Sequence, residues 1–175
     1  MTFFVRDMFP NDRAGIEAID TGFETSSIYE VVVGPQRIEL ALRLLAKPLV
    51  KRYAIEDAFA HWAQWDVGFV ADDDGRIVGF AAVAFEGWHA RLVLWHLYVV
   101  PDRRREGIGA ALLARVEEHG RALGAKRVWL ETSNVNVPGI AAYQRLGYAL
   151  CGADTTLYDA LPYANESAIY LAKKL

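Results

Sequence analysis

Residues 99–113 read Val-Val-Pro-Asp-Arg-Arg-Arg-Glu-Gly-Ile-Gly-Ala-Ala-Leu-Leu. The pattern predicts a β-strand running into a basic, glycine-containing loop that opens directly into an amphipathic helix. Such a junction is a ready anion site. The first turn of a helix has N–H donors without intrahelical partners, and it carries roughly half a positive charge. Gly107 and Gly109 lack Cβ atoms, so a phosphate can approach the main chain closely. Arg104 leads the spacing Arg-x-x-Gly-x-Gly, and the amides of Arg105, Glu106, Gly107, Ile108, Gly109 and Ala110 are the expected donors to a diphosphate. The plainer alternative is a surface turn with solvated arginines ahead of an ordinary helix.

A second segment, residues 131–148, reads Glu-Thr-Ser-Asn-Val-Asn-Val-Pro-Gly-Ile-Ala-Ala-Tyr-Gln-Arg-Leu-Gly-Tyr. The glycine loop followed by this Asn…Tyr…Gly-Tyr segment resembles the GNAT superfamily of N-acetyltransferases. The last third is similar to streptothricin acetyltransferases in particular. Those enzymes carry Leu-Glu-Thr, Asn-x-Pro-Ala, a Gly-x-Asp-x-x-x-Tyr strand and an Asn-Glu-x-Ala-x-Tyr strand in that order. The matching positions here are Leu130-Glu131-Thr132, Asn136-Val137-Pro138, Gly152 to Tyr158 and Asn165 to Tyr170. The likeness spans about residues 95–171 and is weak over the first 65, where acceptor specificity usually lives. Three positions depart from it: Trp95 precedes His96 where Glu is frequent, Gly139 replaces Ala, and an aromatic C-terminal run is absent.

The resemblance implies an α/β (α+β) GNAT fold as one domain over residues 1–175. Its central mixed, mostly antiparallel sheet would be splayed between two strands and flanked by helices. The implied reaction is direct acetyl transfer from acetyl-CoA to a primary amine in a ternary complex. A streptothricin-like antibiotic leads the acceptors, which would make the activity one of antibiotic resistance. A polyamine, an amino acid derivative or a protein amine are alternatives, as is a non-catalytic acyl-CoA sensor.

Such transfer requires a deprotonated amine, a polarised carbonyl, a protonated leaving thiolate and reactants held together. A main-chain N–H from Leu97, Tyr98 or Val99 would donate to the thioester oxygen as charge develops. By resemblance, that strand also pairs with the pantetheine arm. Tyr143 would protonate the thiolate, since a phenol of pKa near ~10 still holds its proton at neutrality. Asn136 would bond the pantetheine amide or a water, or act only as a cap. Glu131 and His96 are both candidates for the base. Histidine titrates near neutrality, yet the apolar run Leu94-Trp95-His96-Leu97 also suits a core histidine. For the acceptor, Phe23, Glu24, Tyr29, Trp88 and Trp95 offer aromatic walls and negative charge to a cation. Asp154 and Tyr158 join them from the C-terminal strand, where each also reads as structural. Glu166 is a further acidic residue expected near the amine.

The elements that must position these groups follow from periodicity and turn chemistry. Strands are expected at 3–6, 29–33, 67–71, 76–85, 92–100, 127–132, 148–158 and 166–172, and helices at 11–19, 54–64, 107–123 and 138–146. Residues 21–27 read as loop, 38–45 as either strand or helix, and Gly34-Pro35 and Lys47-Pro48 as breaks. Asp72-Asp73-Asp74-Gly75 is a hairpin signal, because Asp-Gly accommodates positive φ.

Bulk properties narrow the classes further. The 175 residues, 53% hydrophobic and 23% charged, suit one globular domain. A formal charge of −3 disfavours a nucleic-acid partner, and the short run Arg103 to Arg105 suits one diphosphate rather than a duplex. Cys151 is the sole cysteine and is expected as a small buried apolar group in a cytoplasmic protein. The first six residues lack a leader pattern, and no apolar run approaches the ~18 residues of a membrane span. The four histidines show no metal-ligand spacing, so no metal is expected. A homodimer stays open.

Overall fold

Asp74 and Gly75, with φ of +50° and +87°, form the two-residue turn between β4 (Val67–Asp73) and β5 (Arg76–Glu86) in the computed structural model. Positive φ at both positions gives the turn a twist that matches the flanking strands. Asp72 secures it by accepting the Gly75 N–H at 2.7 Å. The structure describes residues 3–175, so the first two residues of the segment read as lacking a leader lie outside it.

The contacts gather the chain into two compact units. The first contains β1 (Phe4–Asp7), α1 (Arg13–Glu17), β4, β5, β6 (Arg91–Val99) and α2 (Ile108–Ala122). Its strands run in the order β1-β4-β5-β6, every neighbour antiparallel. Helix α2 turns Ile108, Leu112, Leu113 and Val116 inward, all buried. A Cβ at Gly79 of β5 would lie 2.9 Å from Ile108, so glycine there lets helix and strand touch. Each fully buried Leu or Ile contributes about 1.5–3 kcal/mol over exposure. Gly124, at φ +76°, follows the end of α2.

The second unit, residues 24–51 and 129–173, contains a two-stranded sheet of β2 (Phe23–Gly34, its first residue in the first unit) and β3 (Arg37–Lys51), most of β7 (Arg127–Ser133), α3 (Val137–Arg145), β8 (Ala149–Asp154) and β9 (Ala168–Lys174) up to Lys173. The latter strands are ordered β7-β9-β8, with β8 and β9 antiparallel.

Several expectations are corrected. The helix expected at 54–64 is a 3-10 turn, Ile55–Phe59. Phe59 and Trp65 pack within about 6 Å of the Phe80 ring, and that burial overrides helix propensity. The helix expected at 11–19 is a 3-10 turn, Pro10–Asp12, followed by the five-residue α1. Gly15 weakens it while allowing contact with Ile77. Lys47-Pro48 does not interrupt β3, because a proline that owes no ladder bond fits an edge strand. The segment 38–45 is strand, and β2 already begins at Phe23 inside the expected loop. Strand β8 ends at Asp154 rather than 158, since that carboxylate accepts the N–H groups of Thr156 and Leu157 in a turn. Cys151 is exposed, not buried. Leu150 opposes Leu171 and Gly152 opposes Tyr170, so Cys151 is the extra residue of a bulge.

Candidate active site

In the first unit β6 delivers the chain to a 3-10 turn, Pro101–Arg103, and then to the glycine loop. Arg105 and Gly107 both take positive φ, +68° and +86°. Gly107 is the N-cap of α2, with no side-chain cap. The cap's first backbone bond runs from the Ala111 N–H to the Gly107 carbonyl at 2.9 Å. The amides of Ile108, Gly109 and Ala110 therefore lack intrahelical acceptors. A Cβ at Gly107 would meet nothing within 4 Å, and one at Gly109 only the Val99 side chain at 3.8 Å. An open cradle of amides at a helix N-terminus fits the pyrophosphate of a coenzyme A.

The three arginines divide their work in a way the sequence does not announce. The Arg104 guanidinium donates to the carbonyls of Val99 (3.0 Å), Gly22 (2.7 Å) and Asp20 (3.2 Å). Arg103 is buried, donating to Asp73 and, at 2.7 Å, to Glu106. Arg76 binds Asp102 at 2.9 and 3.0 Å, so the β4–β5 turn braces the loop twice. Arg105 alone of the three is exposed.

Strand β6 carries a bulge ahead of Leu97, Tyr98 and Val99. Ala82 opposes His96 and Val83 opposes Leu94, which leaves Trp95 as the extra residue. Bulges re-aim side chains and gather next to active sites. Trp95 Nε1 and His96 Nε2 are buried and meet no hydrogen-bond partner among the described residues. His96 Nδ1 lies 3.4 Å from the Tyr98 hydroxyl, and its ring stacks on Phe80. Burial pushes the imidazole down to about 4. A group that holds a proton only in acid is poorly matched to deprotonating an amine near neutrality. Phe23 and Tyr53 pack at 6.1 Å, and Tyr53 and Tyr98 at 6.5 Å, in the same unit. Trp88 is 87% exposed and stacks on His89 at the turn before β6, the far end of that strand from the glycine loop.

The second unit assembles the carboxylates. Tyr158 donates its hydroxyl to Glu131. Partial desolvation raises the Glu131 pKa although the residue is exposed, opposed by that hydrogen bond and by the charge of Lys51. Lys51 Nζ binds both oxygens of Glu166 at 2.6 and 2.7 Å, and the Ser133 hydroxyl donates to the same carboxylate. The ammonium also sits 4.1 Å from the Tyr163 ring. Lys51, Ser133 and Tyr163 were not foreseen, and no local motif marks them.

Asn136 caps α3 by accepting the Gly139 N–H at 3.1 Å, and it donates to Thr132 at 3.0 Å. A Cβ at Gly139 would lie 2.4 Å from the Asn136 amide, so glycine there permits the cap. Tyr143, half-buried on α3, meets Tyr148 edge-on at 5.8 Å. The Tyr29 backbone is tied to Asn134, and Glu24 is exposed. Asp154 is occupied by its turn.

Residues 38–148 match the model of the Acetyltransferase (GNAT) family. The chain is 35% identical to streptothricin acetyltransferase of Streptomyces lavendulae, over 98% of this chain and 94% of that one. The crystal structure of a nourseothricin acetyltransferase is similar at a TM-score of 0.89 and 35% identity, covering 99% of each chain. A Bacillus anthracis protein crystallised with acetyl coenzyme A shares the fold at a TM-score of 0.84 and 21% identity, over 99% of this chain and 100% of that one.

Proposed function

For a chain that belongs to the acetyltransferase (GNAT) family, and so is an N-acetyltransferase with acetyl-CoA as donor, we propose a small cationic, streptothricin-like molecule as acceptor, acetylated on a primary amine. The observation that carries this reading is the 35% identity to a streptothricin acetyltransferase over 98% of the chain. It includes the N-terminal segment, beyond the C-terminal motifs.

Acetyl-CoA supplies the activated thioester; the remaining work falls to this chain's own residues. The amides at Gly107, Ile108, Gly109 and Ala110, with Arg105 and Glu106 leading them in, hold the pyrophosphate. The main chain of Leu97, Tyr98 and Val99 aligns the pantetheine arm and donates to the developing oxyanion. Tyr143 gives its proton to the departing sulfur. Glu131 takes the proton from the acceptor ammonium. Its raised pKa brings it nearer the working pH than the depressed His96. Trp95, Phe23 and Tyr29 supply aromatic surface, and Glu24 supplies charge, to the cationic body. A cytoplasmic location, where acetyl-CoA is made and Cys151 stays a thiol, goes with this reading.

A matched panel of cationic and neutral-bodied primary amines tests it, with thiol release followed and products identified by mass. Streptothricin-type cations should give the highest kcat/KM, falling as salt screens the attraction. Equal or better values for neutral amines would overturn the acceptor while leaving the acetyltransferase. No turnover with any amine would favour an acyl-CoA sensor.

A further inference from the structure

Strand β3 carries a feature that acetyl transfer does not use. Every even position from Ile38 to Val50 is apolar, whereas the odd positions include Arg37, Glu39, Arg43, Lys47 and Lys51. Successive side chains of a strand point to opposite faces, so the apolar residues share one side. The odd face looks toward its own unit, since Leu45 and Leu49 are partly covered there and Lys51 reaches Glu166. The even face is open: Leu42 is 58% exposed, Leu44 79% and Val50 72%. Among the described residues β3 has only β2 as a neighbour in its sheet. A ribbon of that kind is marginal in water unless something covers it.

We propose that this face docks on the same face of a second copy of the chain. The area is of the right order. Glu30 meets Arg43 of the odd face, so Val33 rather than Val32 lies on the apolar side, and the exposed side chains of Val33, Ile38, Leu42, Leu44 and Val50 open on the order of 500 Å², a large part of the ~800 Å² per partner of a stable interface. The chemistry fits a twofold pairing as well. An isologous contact sets a patch against its own copy, so any charge within it would meet a like charge. The even face contains no charge, and the charges of β3 are all relegated to the odd face. A patch of this extent left in water would be an aggregation site.

Analytical ultracentrifugation at micromolar concentration tests the proposal. The wild-type protein should sediment at twice the 19.5 kDa chain mass. Leu42→Glu/Leu44→Glu should be monomeric with an unchanged circular dichroism spectrum, and Ala41→Glu, on the opposite face, should remain dimeric. If the double Glu variant unfolds, Leu42→Ser/Leu44→Ser serves instead, with a dimer dissociation constant raised at least ~10-fold, about 1.4 kcal/mol. A monomeric wild-type protein, or a dimer indifferent to the substitutions at 42 and 44, would overturn it. So would a wild-type monomer that binds lipid vesicles through this face.

Discussion

The hydroxyl of Tyr158 donates to the carboxylate of Glu131, a residue 27 positions earlier in the chain. Partial desolvation lifts the Glu131 pKa and this hydrogen bond pulls it back. With Glu131 as base, turnover rises as pH climbs through its pKa. Tyr158→Phe removes a lowering contribution, so the acidic limb of the kcat profile should move to higher pH at saturating acceptor. Glu131→Gln should abolish that limb and lower kcat by about 100- to 10,000-fold. An unmoved limb in Tyr158→Phe would make the pair purely structural.

Tyr143→Phe should lower kcat by roughly 10- to 1000-fold while leaving acetyl-CoA affinity nearly intact, because losing a proton donor removes help given only in the transition state. Single-turnover kinetics with calorimetric binding separates the two. Wild-type turnover, with chemistry limiting, would make Tyr143 a packing partner of Tyr148.

Gly109→Val should raise the acetyl-CoA dissociation constant at least ~10-fold, about 1.4 kcal/mol. This site is a cleaner probe than Gly107, whose φ of +86° would strain any replacement. The nearest side chain to a Cβ at 109 is Val99 at 3.8 Å, so folding should survive. Calorimetry on the folded variant is the measurement, and unchanged affinity would move the pyrophosphate elsewhere.

His96 makes stability depend on pH. Its folded pKa is about 4 against 6.5 for the free side chain. Between those values the unfolded chain binds the extra proton. This group's contribution is therefore complete above 6.5, declines as pH falls, and levels off below 4. Across the window His96→Gln should gain about 3 kcal/mol relative to wild type, at about 1.4 kcal/mol per unit. Urea unfolding at several pH values checks this. A constant difference between the two proteins would contradict it.

Some of these features announce themselves in the sequence and others do not. The Asp74-Gly75 turn and helix α2 were legible because a positive-φ pair and a 3.6-residue stripe are local signals. The 3-10 turn at 55–59 was not, because what shapes it is the Phe80 ring, some twenty residues away. The amide cradle could be foreseen, since a helix N-terminus after glycines exposes donors whatever surrounds it. The engagement of Arg104 could not, as its acceptors at Gly22 and Asp20 lie 82 and 84 residues back. The same holds for Lys51 and Glu166, 115 residues apart. Side chains that bond across such intervals leave no spacing to read.

The bracing of the glycine loop bears on how it meets a ligand. Arg105 holds a left-handed backbone conformation that a non-glycine residue keeps only when its surroundings insist on it. Those surroundings are the ion pairs of Arg103 with Asp73 and Glu106, of Arg76 with Asp102, and the three carbonyls gripped by Arg104. The entropy of ordering the loop is thus lost when the chain folds, not when a diphosphate arrives. A preorganised cradle forfeits little affinity to rearrangement, and encounter need not wait for the loop to find its shape.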